Sequence, residues 1–489
     1  MTNFNLKNQI VSSLRWNALA KLGGQLISWA ITLFVIRLLA PADYGLLAMA
    51  NVVVGLLSMV AEMGFGATLV QAANLEPRQI RQVWGAALIL NAGLCGLMLV
   101  AAPGIALFYD EPRLTLVVRV ISTQFLINAI GLVPDAMLRR SLEFKRLSIL
   151  EMATAVLGNV VTLGLAILDQ GVWALVLGGV VAGLVRAAAL HVAKPVRVWP
   201  SFGFGHARRL VSFGATLTLS RVLSFVFSQA DILIGGKVLG KDALGSYSVA
   251  MHLATLPMQR VSSVINEIAF SAFAKIQGDR DAITSNLRLA VRLIALTAFP
   301  ALWGLALIAP ELVRLVMGPR WQDVILPLQI IALTVPIRMI GTLVTTATSS
   351  VGRVDVSMMT ALVGTVLAIP MFLYAAQYGI VGMSLVWVVL APAMVAYNLY
   401  RALPVLRVST RRICADLLRP TLTSLAMAAA VIGVRTQLAT VGDTLRLVVL
   451  VGTGIATYLL ATALFNRAAA IEALGVLLPA RFRMPTRSV

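Results

Sequence analysis

Residues 36–45 read Ile-Arg-Leu-Leu-Ala-Pro-Ala-Asp-Tyr-Gly, and residues 236–245 read Gly-Lys-Val-Leu-Gly-Lys-Asp-Ala-Leu-Gly. Each block closes one long apolar segment and opens the next. At the same offset Val11 and Ser12 fall on Val211 and Ser212, Lys21 on Arg221, Arg37 on Lys237 and Gly45 on Gly245. A second echo follows at a slightly larger offset: Ala102-Pro103, Pro112 and Arg113 fall on Ala309-Pro310, Pro319 and Arg320. Gly, Pro and basic residues at element ends therefore recur in order. A membrane chain that repeats itself once points to a transporter of two pseudo-symmetric halves with its site between them.

Composition places the chain in the bilayer. Of its 489 residues 59% are hydrophobic and 12% charged, against about 25% charged in an average soluble domain. Apolar stretches of about 20 residues, the length that crosses a hydrocarbon core, recur between short polar breaks. They predict spans near 14–36, 44–72, 83–108, 115–138, 148–168, 172–193, 211–235, 244–272, 289–317, 325–349, 358–376, 380–402, 418–435 and 446–465. The expected fold is an all-α integral membrane protein of about 14 helices. Spans 148–168 and 172–193 almost run together around Asp169-Gln170-Gly171. The start does not resemble a cleaved signal peptide, because its first apolar run is too long for an h-region. Cys95 and Cys414 are too far apart in expected depth to pair, and no zinc spacing exists. Neither a metal nor another cofactor is expected.

The net charge of +20 could suggest a nucleic-acid partner; its placement argues against one. With the N-terminus in the cytoplasm, cytoplasmic segments collect 24 Lys and Arg against 7 on the opposite side. The positive-inside rule then puts both termini in the cytoplasm, with the basic loops against anionic lipid head groups. Membrane lipids are expected partners and nucleic acid is not.

The repeats start six spans apart, and an even shift preserves direction across the membrane. The halves are therefore parallel, and two six-helix lobes are expected around a central cavity. The chain divides into an N-terminal lobe 1–193, a basic linker 194–210, a C-terminal lobe 211–405, and an appendix 406–489 of two extra helices with a basic tail.

Charges inside spans are costly and mark pathways. Lys21 and Arg221 lie about ten residues from the cytoplasmic starts of their spans; Arg260, Arg338 and Glu62 lie as far from the cytoplasmic ends of theirs. At 1.5 Å per residue this is roughly 15 Å, near the middle of the core. Four cations against one anion favour an anionic substrate group, and arginine suits phosphate oxygens because its planar fork donates in pairs. Alternatives stay open: Lys21 and Glu62 as a structural ion pair, or a single side chain snorkelling. Asp231 near the outer end of its span reads as hydrated or as a coupling-cation ligand; Glu151, Arg292, Glu311 and Arg314 read as interfacial anchors.

Several blocks resemble a known family: Arg37-Leu-Leu-Ala-Pro-Ala-Asp-Tyr-Gly-Leu-Leu-Ala, Gly64-Phe-Gly-Ala-Thr-Leu-Val-Gln71 and Arg139-Arg-Ser-Leu-Glu-Phe-Lys-Arg-Leu-Ser. Asp231-Ile-Leu-Ile-Gly-Gly-Lys-Val-Leu-Gly, Gly245-Ser-Tyr-Ser and Gly318-Pro-Arg-Trp321 add to them. They are similar to bacterial polysaccharide flippases of the multidrug/oligosaccharidyl-lipid/polysaccharide exporter superfamily, close to the colanic-acid and exopolysaccharide exporters. The resemblance covers about residues 10 to 405. It implies that an undecaprenyl-diphosphate-linked oligosaccharide is flipped to the outer leaflet by alternating access, for exopolysaccharide or lipopolysaccharide biosynthesis. Polysaccharide polymerase or export machinery would then be a partner. No substrate motif matches residue by residue, so the site assignment rests on depth alone. Rival readings are a peptidoglycan lipid-precursor flippase, a drug or cation antiporter of the same superfamily, and a membrane-embedded glycan polymerase or ligase. Outer loops of only about four to eleven residues argue against the enzyme.

Overall fold

The computed structural model describes residues 27–467, apart from 63, 73–74, 197, 203–206, 276–279, 407–408 and 439. Side chains are described over the same residues except 62, 67, 71, 207–221, 257–275, 280–282 and 403. Among the described residues the regular structure is all helix. Helix α1 spans Ile27–Leu38. It is followed by α2 (Pro41–Glu62), α3 (Phe65–Gln71), α4 (Pro77–Tyr109), α5 (Leu114–Arg140), α6 (Phe144–Ile167) and α7 (Val172–Ala193). Then come α8 (Ala207–Lys275), α9 (Arg280–Leu312), α10 (Ile325–Ser350), α11 (Val354–Ala375), α12 (Gly379–Leu406), α13 (Thr410–Gln437) and α14 (Asp443–Phe465). Eleven stretches among the described residues are long and apolar enough to cross a membrane. The fourteen expected spans fall on helix almost throughout their described residues. The exception is the span at 44–72, where Gly64 at φ 76° separates α2 from α3.

Breaks occur where the sequence changes character. Asp169 and Gly171, both at φ 54°, turn the chain between α6 and α7, at the point where two apolar runs nearly fuse. Gly240 sits at φ 78°, ψ 179° and splits α8 into two helices. That backbone region is open in practice only to glycine, because a Cβ would clash there. The repeat partner of Gly240 is Ala40, which lies in the break between α1 and α2. The Asp43 carboxylate accepts the Ala40 N–H at 3.0 Å and so supplies a partner for a donor at the start of α2.

Packing divides the chain into two compact units, Met1–Gly245 and Ser246–Val489. In the first, α4 packs along α5, α5 against α7 and α2, and α6 against α7. In the second, α10 lies against both α9 and α12, α11 lies along α12, and α13 and α14 pack on each other and on α9. The cores are apolar: Phe65, Leu69, Val83, Ala87 and Val133 form one cluster in the first unit, and Met427, Val431 and Leu450 join α13 to α14 in the second. The opposite face of α14 exposes Leu445, Val448, Ile455, Leu459 and Leu464. A continuous apolar row on an apolar helix suits lipid, where every backbone group is already paired inside the helix.

Candidate functional site

Of the five charges assigned to one depth, Lys21 lies outside the described residues. Glu62 is the last residue of α2, and Arg221 and Arg260 lie on α8; the side chains of these three are outside the described set. Arg338 is described. It sits on α10, two residues after Pro336, and is half-buried. Its guanidinium carbon lies 3.9 Å from the centroid of the Trp387 ring on α12. One terminal nitrogen, Nη1, lies 3.6 Å from the Met251 Sδ.

Trp387 is itself fixed. Its indole N–H donates to the Tyr247 hydroxyl at 2.9 Å, both rings are fully buried, and Phe372 meets Trp387 edge-on at 5.6 Å. A cation on an indole face gains up to about 2 kcal/mol once desolvated. Stacking by the face also holds the guanidinium plane, which directs its N–H donors sideways. The stack can thus hold a positive charge within an apolar span and present it to phosphate oxygens. Trp387 and Tyr247 were not legible as site residues: nothing in sequence tells which of the eight tryptophans meets an arginine three turns into another helix.

The two blocks of the first echo, 36–45 and 236–245, meet in the first unit. A Cβ placed on Gly45 would lie 2.7 Å from the Lys241 carbonyl carbon and 2.9 Å from its Cα. A Cβ on Gly245 would lie 2.5 Å from the Pro41 carbonyl carbon and 3.0 Å from the Gly45 nitrogen. All of these lie inside van der Waals contact, so glycine alone permits the approach. Pro41 and Lys241 are themselves repeat partners, and the contact is reciprocal: 45 rests on 241, and 245 rests on 41. Lys241 Nζ lies 2.5 Å from Glu111 Oε2 and Lys237 Nζ lies 3.4 Å from Asp110 Oδ2, beside the Phe108 ring. Two ion pairs therefore flank the glycine contact.

Other charges differ from their sequence reading. Glu311 is no interfacial anchor: it is fully buried, 2.8 Å from Arg435 Nη2 on α13 and 3.9 Å from Arg446 Nε on α14. Asp231 is buried as well, not hydrated. At the other end of α9, Asp416 of α13 takes two bonds from Arg288, at 2.6 and 3.0 Å, with Arg292 at 3.8 Å. Charge pairs thus fasten α13 to α9 near both ends. In the first unit, Lys194 bonds Glu143 at 2.9 Å. That ammonium is the main reason the Glu143 carboxyl ionises below its ordinary value of 4.5. Among the described residues no group of three or more His, Cys, Asp or Glu side chains is placed to hold a metal.

Comparison with known proteins bears on the whole chain. The family described as "Polysaccharide biosynthesis protein" matches residues 34–326, which is more than half of the chain. The chain belongs to this family. It is 23% identical over 391 residues to the lipopolysaccharide biosynthesis protein WzxC of Escherichia coli (strain K12), covering 78% of each chain. It is 27% identical over 285 residues to the teichuronic acid biosynthesis protein TuaB of Bacillus subtilis (strain 168), covering 56% of this chain and 57% of TuaB. In three dimensions it resembles the lipid II flippase MurJ in an inward closed conformation, with a TM-score of 0.77 and 14% identity over 93% of this chain and 100% of that one. At that identity the last likeness concerns the fold alone, a multi-pass helical membrane fold.

Proposed function

We propose that this protein is a flippase. It moves a diphosphate-linked, lipid-anchored oligosaccharide from the cytoplasmic to the outer leaflet of the bacterial inner membrane, for cell-surface polysaccharide synthesis. Membership of the polysaccharide biosynthesis family over residues 34–326 carries this reading. An unpaired ion in hydrocarbon costs on the order of tens of kcal/mol by Born estimate, so such a headgroup needs cationic partners along its route. Arg338 on its Trp387 shelf is one, and Lys21, Arg221 and Arg260 are proposed to join it, with Glu62 as the counter-charge. The lobes are residues 1–193 and 211–405, the linker is 194–210 and the appendix is 406–489; both termini face the cytoplasm. The protein acts as a carrier, and the polymerase or export machinery that consumes the product is its functional partner.

Alternating access requires the outer ends to part. The Gly45/Gly245 contact and its two ion pairs lie at the end that the charge count assigns to the outside, and they form the outer closure. The test is deletion of the gene with complementation. Loss of surface polysaccharide with accumulation of its lipid-linked repeat unit is expected, restored by the wild-type chain and not by Arg338→Ala at equal membrane abundance. Normal polysaccharide in the deletion strain would refute the function; normal polysaccharide with Arg338→Ala would refute the site.

A further inference from the structure

Away from the stacked arginine, the second unit holds an open cavity of about 700 Å³. It lies where the start of α9, the turn between α10 and α11, and the last turn of α12 come together. Arg353, Tyr400 and Arg401 supply its polar edge, and Ile283, Val356 and Leu406, all buried, supply its floor. Arg353 is paired: its Nε and Nη2 bond the two Asp355 oxygens at 2.8 and 2.9 Å in an exposed contact. That pairing offsets its charge and leaves Nη1 for another acceptor. Arg401 makes no hydrogen bond or ion pair among the described residues, but its charge also acts on Asp355; two arginines against that one carboxylate leave the cavity net positive.

A second hollow, of about 890 Å³, shares Tyr400 and Pro404 with the first. It runs along α12 from Pro404 to Pro392, against Ile337 of α10 and Cys414 of α13, and its lining is largely apolar. Twelve residues of helix measure about 18 Å, slightly more than one leaflet of a ~30 Å hydrocarbon core. A basic headgroup cup thus continues into an apolar trough of leaflet length, with an amphipathic tyrosine at the joint. Tyrosine is the residue type that membranes place at this level.

We propose that these two hollows together bind one anionic phospholipid of the surrounding membrane, its phosphate between Arg401 and Arg353 and one acyl chain along α12. Basic pockets between transmembrane helices on the cytoplasmic side have the right chemistry for such head groups. Guanidinium donors match phosphate oxygens in pairs. A resident lipid is present at high local concentration, so even modest affinity keeps the site filled by mass action. Placing it in the cytoplasmic leaflet follows from the proposed orientation; the binding itself does not depend on that, nor on the flippase reading.

The experiment uses the purified full chain in detergent. Phosphatidylglycerol, phosphatidylcholine or inorganic phosphate is added, and bound lipid is counted by native mass spectrometry alongside the thermal midpoint. Phosphatidylglycerol is expected to be retained and to raise the midpoint, with phosphatidylcholine and phosphate doing neither. Arg401→Gln should weaken retention of phosphatidylglycerol about ten-fold or more, the effect of losing one charge-assisted bond. Ala396→Trp fills the trough and leaves both arginines intact, so it should weaken retention too and serves as the second variant if Arg401→Gln does not fold. Equal protection by inorganic phosphate would overturn the lipid in favour of a free anion. Equal retention of both lipids would overturn the role of charge. Unchanged retention in Ala396→Trp would overturn the acyl trough.

Discussion

Substituting Gly245 by alanine tests the reciprocal glycine contact with one methyl group. The new Cβ would lie 2.5 Å from the Pro41 carbonyl carbon, whereas carbon atoms rest at about 3.5 Å or more. The two backbones must therefore separate by about 1 Å, and both belong to helix starts that cannot yield like a flexible side chain. Overpacking of this kind costs about 1–3 kcal/mol. The whole cost falls on the state in which Gly245 and Pro41 touch, so the balance shifts toward a state with them parted by about 5- to 150-fold.

The assay is the labelling rate of Leu244→Cys by a membrane-impermeant maleimide added from outside, after removal of Cys95 and Cys414. Leu244 is fully buried when the contact is closed. Gly245→Ala should accelerate labelling by that factor. Gly45→Ala should do the same, because its Cβ would press on Lys241 in the same manner. The double variant should add less than the sum, since both methyls part the same pair of backbones. An unchanged rate with either single variant would refute the reasoning.

Three further outcomes are expected. Glu111→Lys should speed the same labelling by repelling Lys241, and Glu111→Lys with Lys241→Glu should restore it; a partly buried pair of this kind is worth about 1 kcal/mol, read from a double-mutant cycle. Arg435→Ala leaves the Glu311 carboxylate buried with only a distant Arg446, so it should destabilise the second unit by about 3 kcal/mol in denaturant titration, more than Glu311→Gln, which keeps a neutral polar group there. The depressed Glu143 value gives stability that is complete above pH 4.5 and lost as pH falls through the lower folded value; Lys194→Gln should lower the thermal midpoint near neutrality, with the difference from wild type shrinking as pH falls through that acid range.

Much of the fold is legible in the sequence because the bilayer forces it: a helix must stay apolar for about 20 residues, and its ends must be polar. The turn at Asp169-Gln170-Gly171 is readable for that reason, even between two nearly fused spans. The break inside 44–72 is not, since Gly64 interrupts the helix without interrupting the hydrophobicity. Depth singles out Arg338, because position along a span is a one-dimensional quantity. Its shelf does not follow, because the Trp387 contact depends on how α10 and α12 rotate against each other. Glu311 shows the same limit. Its place near a span end suggests water, and only the packing of α13 and α14 on α9 removes that water and supplies two arginines in its place.

The glycine contact has a consequence for how such a chain can arise. Residue 45 rests on 241 and residue 245 on 41, which is how a surface meets its own copy across a two-fold axis in a homodimer. Two separate half-length chains with a glycine at this one position would already make the contact, and each substitution there would be felt twice. Fusion into one chain removes that restriction. The glycine must stay on both sides, but its neighbours are free to part company: Pro41 caps one helix start, while Lys241 reaches out to Glu111 from the other. Where residues 41–45 and 241–245 touch they are held alike, and asymmetry can accumulate around that point.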